Sequence, residues 1–250
     1  MPNSKSKLTA QTLGERLSTD KSAQWLEIAV VFLPVALIIV ALRLLGTSSP
    51  LLLFGTIWVA NIAMLLLIWL GVRLRGETLD SIGLSFRYAG ISTIVWSFLK
   101  SIPIFLLSAF AFIFMPIVMA AIVGAPSEAD FSDYNYMQDN LPLLLISLLG
   151  VYIVSSMGEE VVYRGFLITR LQVLFGSEGR MSIFLAVILS SLIFGLAHFG
   201  WGFTGIVQTS FVGMAMGVAF LLTKRRLWPL ILAHGYLDTL LFVQLYLAPQ

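Results

Sequence analysis

Seven windows of about 20 apolar residues recur along this 250-residue chain, and no other feature limits its fold so strongly. They run approximately over Trp25 to Leu45, Leu51 to Val72, Ile91 to Val123, Leu141 to Ile168, Ser182 to Phe199, Gly205 to Thr223 and Trp228 to Leu247. A hydrocarbon core about 30 Å thick offers no water to backbone amides, so apolar runs of this length cross it as helices. The expected class is all-α, a polytopic transmembrane helix bundle of seven spans. The count becomes eight if the third window, about 33 residues with Lys100, Pro103 and Pro116 inside it, is two pieces. Composition agrees: 58% of residues are apolar and 11% charged, against about 25% charged in soluble domains.

Basic residues in short connectors are retained on the cytoplasmic side, and here they alternate. One set of connectors holds Lys5, Lys7, Arg16 and Lys21; Arg73, Arg75 and Arg87; Arg170 and Arg180; then Lys224, Arg225 and Arg226. The opposite set has no Lys or Arg beyond Arg43 at a helix end, and its loop from 124 to 140 carries Glu128, Asp130, Asp133 and Asp139. This pattern predicts a cytoplasmic N-terminus and an external C-terminus. Residues 1–22 read as a polar, uncleaved N-terminal tail and 23–250 as one transmembrane helical domain, since the only other long polar segments are two connectors. No internal repeat appears, which weakens a reading as a carrier built from two related halves. A net charge of +2, spread through connectors, points to no nucleic-acid partner. Without cysteine there is no thiolate nucleophile or Cys-ligated zinc, so any metal has to be held by His and carboxylate. Trp25, Trp69, Trp201 and Trp228 sit near span ends and read as interfacial anchors.

Ionisable groups in hydrocarbon cost roughly 2.5 to 3.5 kcal/mol each even on the lenient insertion scale, so polar clusters inside spans are candidates for function. There are three. The first, Gly158 to Gly165, is read near the inner end of the fourth span. In an α-helix adjacent residues point about 100° apart, so Glu160 pairs with Arg164 one turn on while Glu159 turns toward Tyr163. A desolvated carboxylate without a counter-charge can take a proton from water near neutrality. Glu159 is therefore the candidate base, and Glu160 with Arg164 the structural pair; a surface cluster without chemistry is the plain alternative. The second cluster, Phe194 to His198, closes the fifth span, where Gly195 and Ala197 permit close helix approach. In the third, His234 and Asp238 share a helix face, so Asp238 can fix the tautomer of His234 or merely tie helices together. Both histidines of the chain fall in these clusters. The H-E-x-x-H, G-x-S-x-G and G-x-G-D signatures are absent, and a serine or aspartyl mechanism is disfavoured.

These residues resemble the motifs of the CAAX protease and bacteriocin-processing (CPBP or Abi) family of intramembrane endopeptidases, which includes the type II CAAX prenyl endopeptidase. E-E-x-x-x-R reads Glu159-Glu160-Val161-Val162-Tyr163-Arg164, F-x-x-x-H reads Phe194 to His198, and H-x-x-x-N or D reads His234 to Asp238. The resemblance covers about Leu141 to Leu247 and places the active site within the C-terminal four helices. It implies hydrolysis of a peptide bond in a membrane-associated or lipidated protein or peptide precursor. Glu159 would activate water, with His198, His234 and Asp238 holding that water, the oxyanion, or a divalent cation such as zinc. Glu159, His198 and His234 would be the ligands of such a cation. The family's breadth implies a multi-pass protein of a bacterial cell membrane. Asp238 departs from the Asn of the prenyl endopeptidases: an ionised Asp repels an oxyanion that Asn would bind, which shifts Asp238 toward orienting His234 or strengthening a metal site. Two other classes remain open, a noncatalytic scaffold or bacteriocin self-immunity factor, and a proton-coupled carrier with Glu159, His198 and His234 as relay.

One geometric conflict follows. His198 lies 18 residues beyond Arg180, about 27 Å along a helix, which sets it across the membrane from an inner-end Glu159. Either the fourth span runs on past Arg164, or the fifth begins above the membrane, or the linker Phe199 to Thr204 turns at depth. That linker is uncharged, has two glycines, and is expected to line the site.

Overall fold

A computed structural model describes residues 12–45, 50–86, 90–124, 128–176 and 179–248. Lys5, Lys7 and Arg87 of the basic connectors lie outside the described residues, as does the side chain of Arg43. Seven helices are long and apolar enough to cross a membrane: Lys21–Leu42, Phe54–Leu74, Ile91–Val123, Leu141–Leu174, Arg180–Ala197, Phe199–Leu222 and Trp228–Leu247. No strand occurs among the described residues, and the chain is an all-α polytopic membrane bundle. The third span is one helix of 33 residues with Pro103 and Pro116 inside it, so it is not two pieces. Each proline removes a hydrogen bond, but a full break in an apolar solvent would orphan several more backbone groups.

The last part of the expected polar tail is structured. Leu13–Thr19 is a helix closed by a capping box, with the Thr12 N–H donating to Glu15 Oε2 (2.8 Å) and the Glu15 N–H to Thr12 Oγ1 (3.3 Å). Gly14 seats it on the Leu74 carbonyl, where a Cβ has no room. Arg75 then ties the assembly together, donating to the Leu17 carbonyl (3.3 Å) and through both terminal nitrogens to the Glu27 carboxylate.

The same end of the bundle is packed shut. Arg170 pairs with Glu77 at 2.8 Å, Arg225 with Gln172, the Leu227 N–H donates to the Gly83 carbonyl (3.1 Å), and the Trp228 indole donates to the Ser85 carbonyl (2.8 Å). Gly83 is required there twice over: its φ is +86°, and a Cβ would meet the Arg225 carbonyl. Beneath this layer Ile82, Phe166, Leu171, Phe220 and Leu227 form a closed apolar core.

The fourth span resolves the conflict over His198. It continues past Arg164 to Leu174, and its central residues, Tyr152–Ile168, coil as a π-helix instead of the α-helix assumed from the sequence. Glu159 therefore sits near mid-span and not at the inner end. The chain descends about 22 Å from Glu159 to Leu174 and climbs about 27 Å from Arg180 to His198, so the two side chains reach similar depth. The fifth span ends at Ala197, and a 3-10 turn over Phe199–Trp201 with Gly202 at φ +74° redirects the chain into the sixth. Gly195 lets these two helices close on each other at the His198 end, since a Cβ there would strike Ser210 and the Ile206 carbonyl.

Candidate active site

A cavity of about 610 Å³ is lined by Glu159, His198, His234 and Asp238, so the three clusters share one chamber. Its walls are not confined to the C-terminal four helices: Val35, Asn61, Met64 and Phe112 from the first three spans line it too. Of the uncharged linker, Phe199, Gly200 and Trp201 reach it.

Glu160 lies below the chamber floor, 0% exposed, beside Arg164 at 1%. Its Oε1 accepts from Arg164 Nη1 at 2.7 Å and from His234 Nδ1 at 2.8 Å. A carboxylate only accepts, so Nδ1 of His234 carries the proton and Nε2 is left to the chamber. That nitrogen is 3.8 Å from Glu159 Oε2 and 3.7 Å from Asp238 Oδ1, too long for direct hydrogen bonds, so that a water or substrate oxygen beside them can reach the nitrogen and a carboxylate together. The tautomer-setting contact on His234 thus comes from Glu160, where the sequence reading had Asp238. Sharing a helix face brought Asp238 near Nε2, but the crossing of the fourth span under the seventh put Glu160 on Nδ1. Asp238 instead accepts from Ser156 Oγ at 2.7 Å.

His198 is fixed in the same manner from its own helix. Its Nδ1–H donates to the Phe194 carbonyl at 2.8 Å, leaving Nε2 as the free ring nitrogen. The imidazole packs between the Phe194 and Trp201 rings, with both centroids at 4.7 Å. Phe194 connects all three clusters, contacting Tyr163 at 5.0 Å and His234 at 6.3 Å while the Arg164 guanidinium lies 4.4 Å over its face. Trp201 is therefore part of the site and not an interfacial anchor. Trp25 and Trp69 remain about half exposed at span ends.

Two contributors had no signal in the sequence. Ser156 precedes the first motif and matters only through Asp238, 82 residues away. Tyr134 comes from the turn Ser132–Met137 and enters the chamber among Phe54 (4.8 Å), Phe242 (5.5 Å) and Trp201 (6.2 Å). Burial, with the Asp238 and Glu159 carboxylates nearby, pushes its phenol above the ordinary value, so it stays a neutral hydroxyl.

Buried polar atoms normally have partners, and at this site Glu159 Oε2, Glu160 Oε2 and Arg164 Nη2 have no hydrogen-bond partner among the described residues. Glu159 belongs to the chamber wall, so a water or substrate group is what can satisfy its oxygen. Among the described residues no group of three His, Asp or Glu side chains is arranged to hold an ion, so Glu159, His198 and His234 as placed do not form a metal ligand set.

Residues 141–240 match the family model described as type II CAAX prenyl endopeptidase Rce1-like. The matched segment opens with the fourth span and closes just beyond Asp238, so it contains all three motifs and leaves the first three spans outside it. The family is one of proteases. No curated protein and no solved structure matches the chain.

Proposed function

We propose, on the premise that the 141–240 segment is Rce1-like and places this chain in the CAAX protease and bacteriocin-processing family, that the protein is an intramembrane endopeptidase with Glu159 as its general base. The observation that carries this reading is the convergence of Glu159, His198, His234 and Asp238 on one chamber in which Glu159 Oε2 has no hydrogen-bond partner among the described residues.

A water seated beside Glu159 Oε2 and His234 Nε2, within reach of both, gives a proton to Glu159 as its oxygen attacks the peptide carbonyl carbon. The tetrahedral intermediate then collapses, the C–N bond breaks, and Glu159 returns the proton to the leaving amine. Products are one new carboxyl and one new amino terminus. Glu160 and Arg164 hold His234 so that Nε2 faces the water. Two carboxylates flank that nitrogen, so the developing oxyanion is better accommodated on the His198 side of the chamber. Among the described residues no Lys or Arg side chain lines the cavity to neutralise a free terminal carboxylate, which favours an internal bond as the target. A membrane protein or membrane-associated peptide is the fitting substrate, because the chamber lies within the spans and its walls are mostly apolar.

The direct test is Glu159→Gln, which keeps the shape and removes the base. Purified variant should produce no new substrate N-termini, and full activity would reject the assignment. The cation question has its own assay: if zinc or another divalent ion takes part, chelation should inactivate the enzyme and added metal restore it. Chelator resistance in metal-free active protein assigns the chemistry to glutamate alone.

A further inference from the structure

The chamber lies toward one end of the bundle. Its walls take residues Val35 to Leu42 from the first span and Phe54 to Met64 from the second, both from the half that adjoins the 128–140 loop. Exposed polar residues that line it are Asp133 of that loop and Gln244 near the end of the seventh span, and Ile57, Ile113 and Leu240 are exposed lining residues on the spans themselves. Among the described residues, none from the connectors at the opposite end, 75–86, 175–176, 179–180 or 223–228, lines it. That opposite end is closed by the Arg75–Glu27, Arg170–Glu77 and Arg225–Gln172 pairs over a packed core.

Charge divides the bundle the same way. The closed end carries Arg16, Lys21, Arg73, Arg75, Arg170, Arg180, Lys224, Arg225 and Arg226, whereas the opposite end carries Glu128, Asp130, Asp133 and Asp139 and, at a helix end, Arg43. Basic connectors are the ones retained in the cytoplasm. We infer that the catalytic chamber is entered from the extracytoplasmic side, so that its substrate is an exported peptide or a segment held at the outer leaflet, and not a chain presented from the cytoplasm. The word substrate rests on the protease reading above; the side of entry does not, and it is readable without turnover.

The chain has no cysteine, so single cysteines can be placed on a silent background. Leu241→Cys and Gln244→Cys put a thiol in the chamber wall at two depths, and Arg226→Cys puts one on the exposed closed end. Full-length variants in right-side-out and inside-out membrane vesicles are treated with a membrane-impermeant maleimide. Both chamber thiols should react at least about ten-fold faster in right-side-out vesicles, and Arg226→Cys should show the reverse preference. Labelling of the chamber thiols from inside-out vesicles overturns the inference, as does labelling from neither side by a reagent that reacts fully after denaturation. Either failure leaves the Glu159→Gln result untouched, so loss of the entry side and loss of the protease reading are told apart.

Discussion

Removing the charges beneath His234 one at a time and then together should separate what they do for stability from what they do for chemistry. Glu160 Oε1 and Arg164 Nη1 are 2.7 Å apart with 0% and 1% of their side chains exposed. At an effective dielectric of about 20 their attraction is about 6 kcal/mol, much of it offset by the cost of desolvating both groups. Taking away one partner keeps the desolvation cost and loses the attraction, so Arg164→Met or Glu160→Gln alone should destabilise by about 3 to 5 kcal/mol. The double variant buries no unpaired charge, and its loss should fall short of the sum of the two by about 2 kcal/mol or more. Activity should not recover with it. In the double variant His234 Nδ1–H rests on a neutral amide oxygen, about 0.5 to 1.5 kcal/mol in place of about 1.5 to 3 for a charged acceptor, and the imidazole is free to turn. Denaturant-driven unfolding in detergent micelles measures the first quantity for all four proteins, and substrate cleavage the second. Additive destabilisation within about 0.5 kcal/mol would refute the ion-pair account. A double variant with full activity would refute Glu160 as the residue that orients His234.

Two further outcomes follow from other contacts. Gly195→Val should lose cleavage by about a hundred-fold and about 1 to 3 kcal/mol of stability, because its side chain pushes the sixth span off the His198 end; Gly55→Ala, with open space around it, should do neither. At the closed end, burial raises the Glu77 carboxyl, but the Arg170 hydrogen bond and charge outweigh it and hold the group below its ordinary value. A depressed carboxyl contributes stability above its unfolded pKa and loses it as pH falls through the folded one. Protease nicking in the 75–86 connector should therefore stay constant from neutrality down to about pH 5 and rise only in stronger acid, with Glu77→Gln abolishing the step; a rise already complete at pH 6 would contradict the pairing.

The spans were legible because the bilayer imposes a single local requirement. About 20 apolar residues per crossing is a property of each window by itself, and all seven windows became helices, the Pro-containing third included. The motif residues were legible for a related reason, since a charge in hydrocarbon is conspicuous one residue at a time. Depth was not legible. Placing Glu159 at the inner end followed from taking the fourth span as ending near Ile168, whereas the helix runs to Leu174 and carries a π segment that no local pattern announced. Tryptophans near span ends looked alike in sequence, yet Trp201 packs on His198 while Trp69 stays half exposed.

By itself, then, the order of residues determined the class of solvent, the number of crossings and the identity of the polar side chains that have to be sheltered, because each depends on composition within one stretch. Only tertiary structure decided which nitrogen of His234 is held, that Glu160 and not Asp238 holds it, that Tyr134 enters from a loop, and that the chamber lies toward one end of the bundle. Those outcomes depend on how separate helices cross, and a crossing is set by which small residues, such as Gly195 against Ser210 and Gly165 against the Ile82 carbonyl, let two backbones meet.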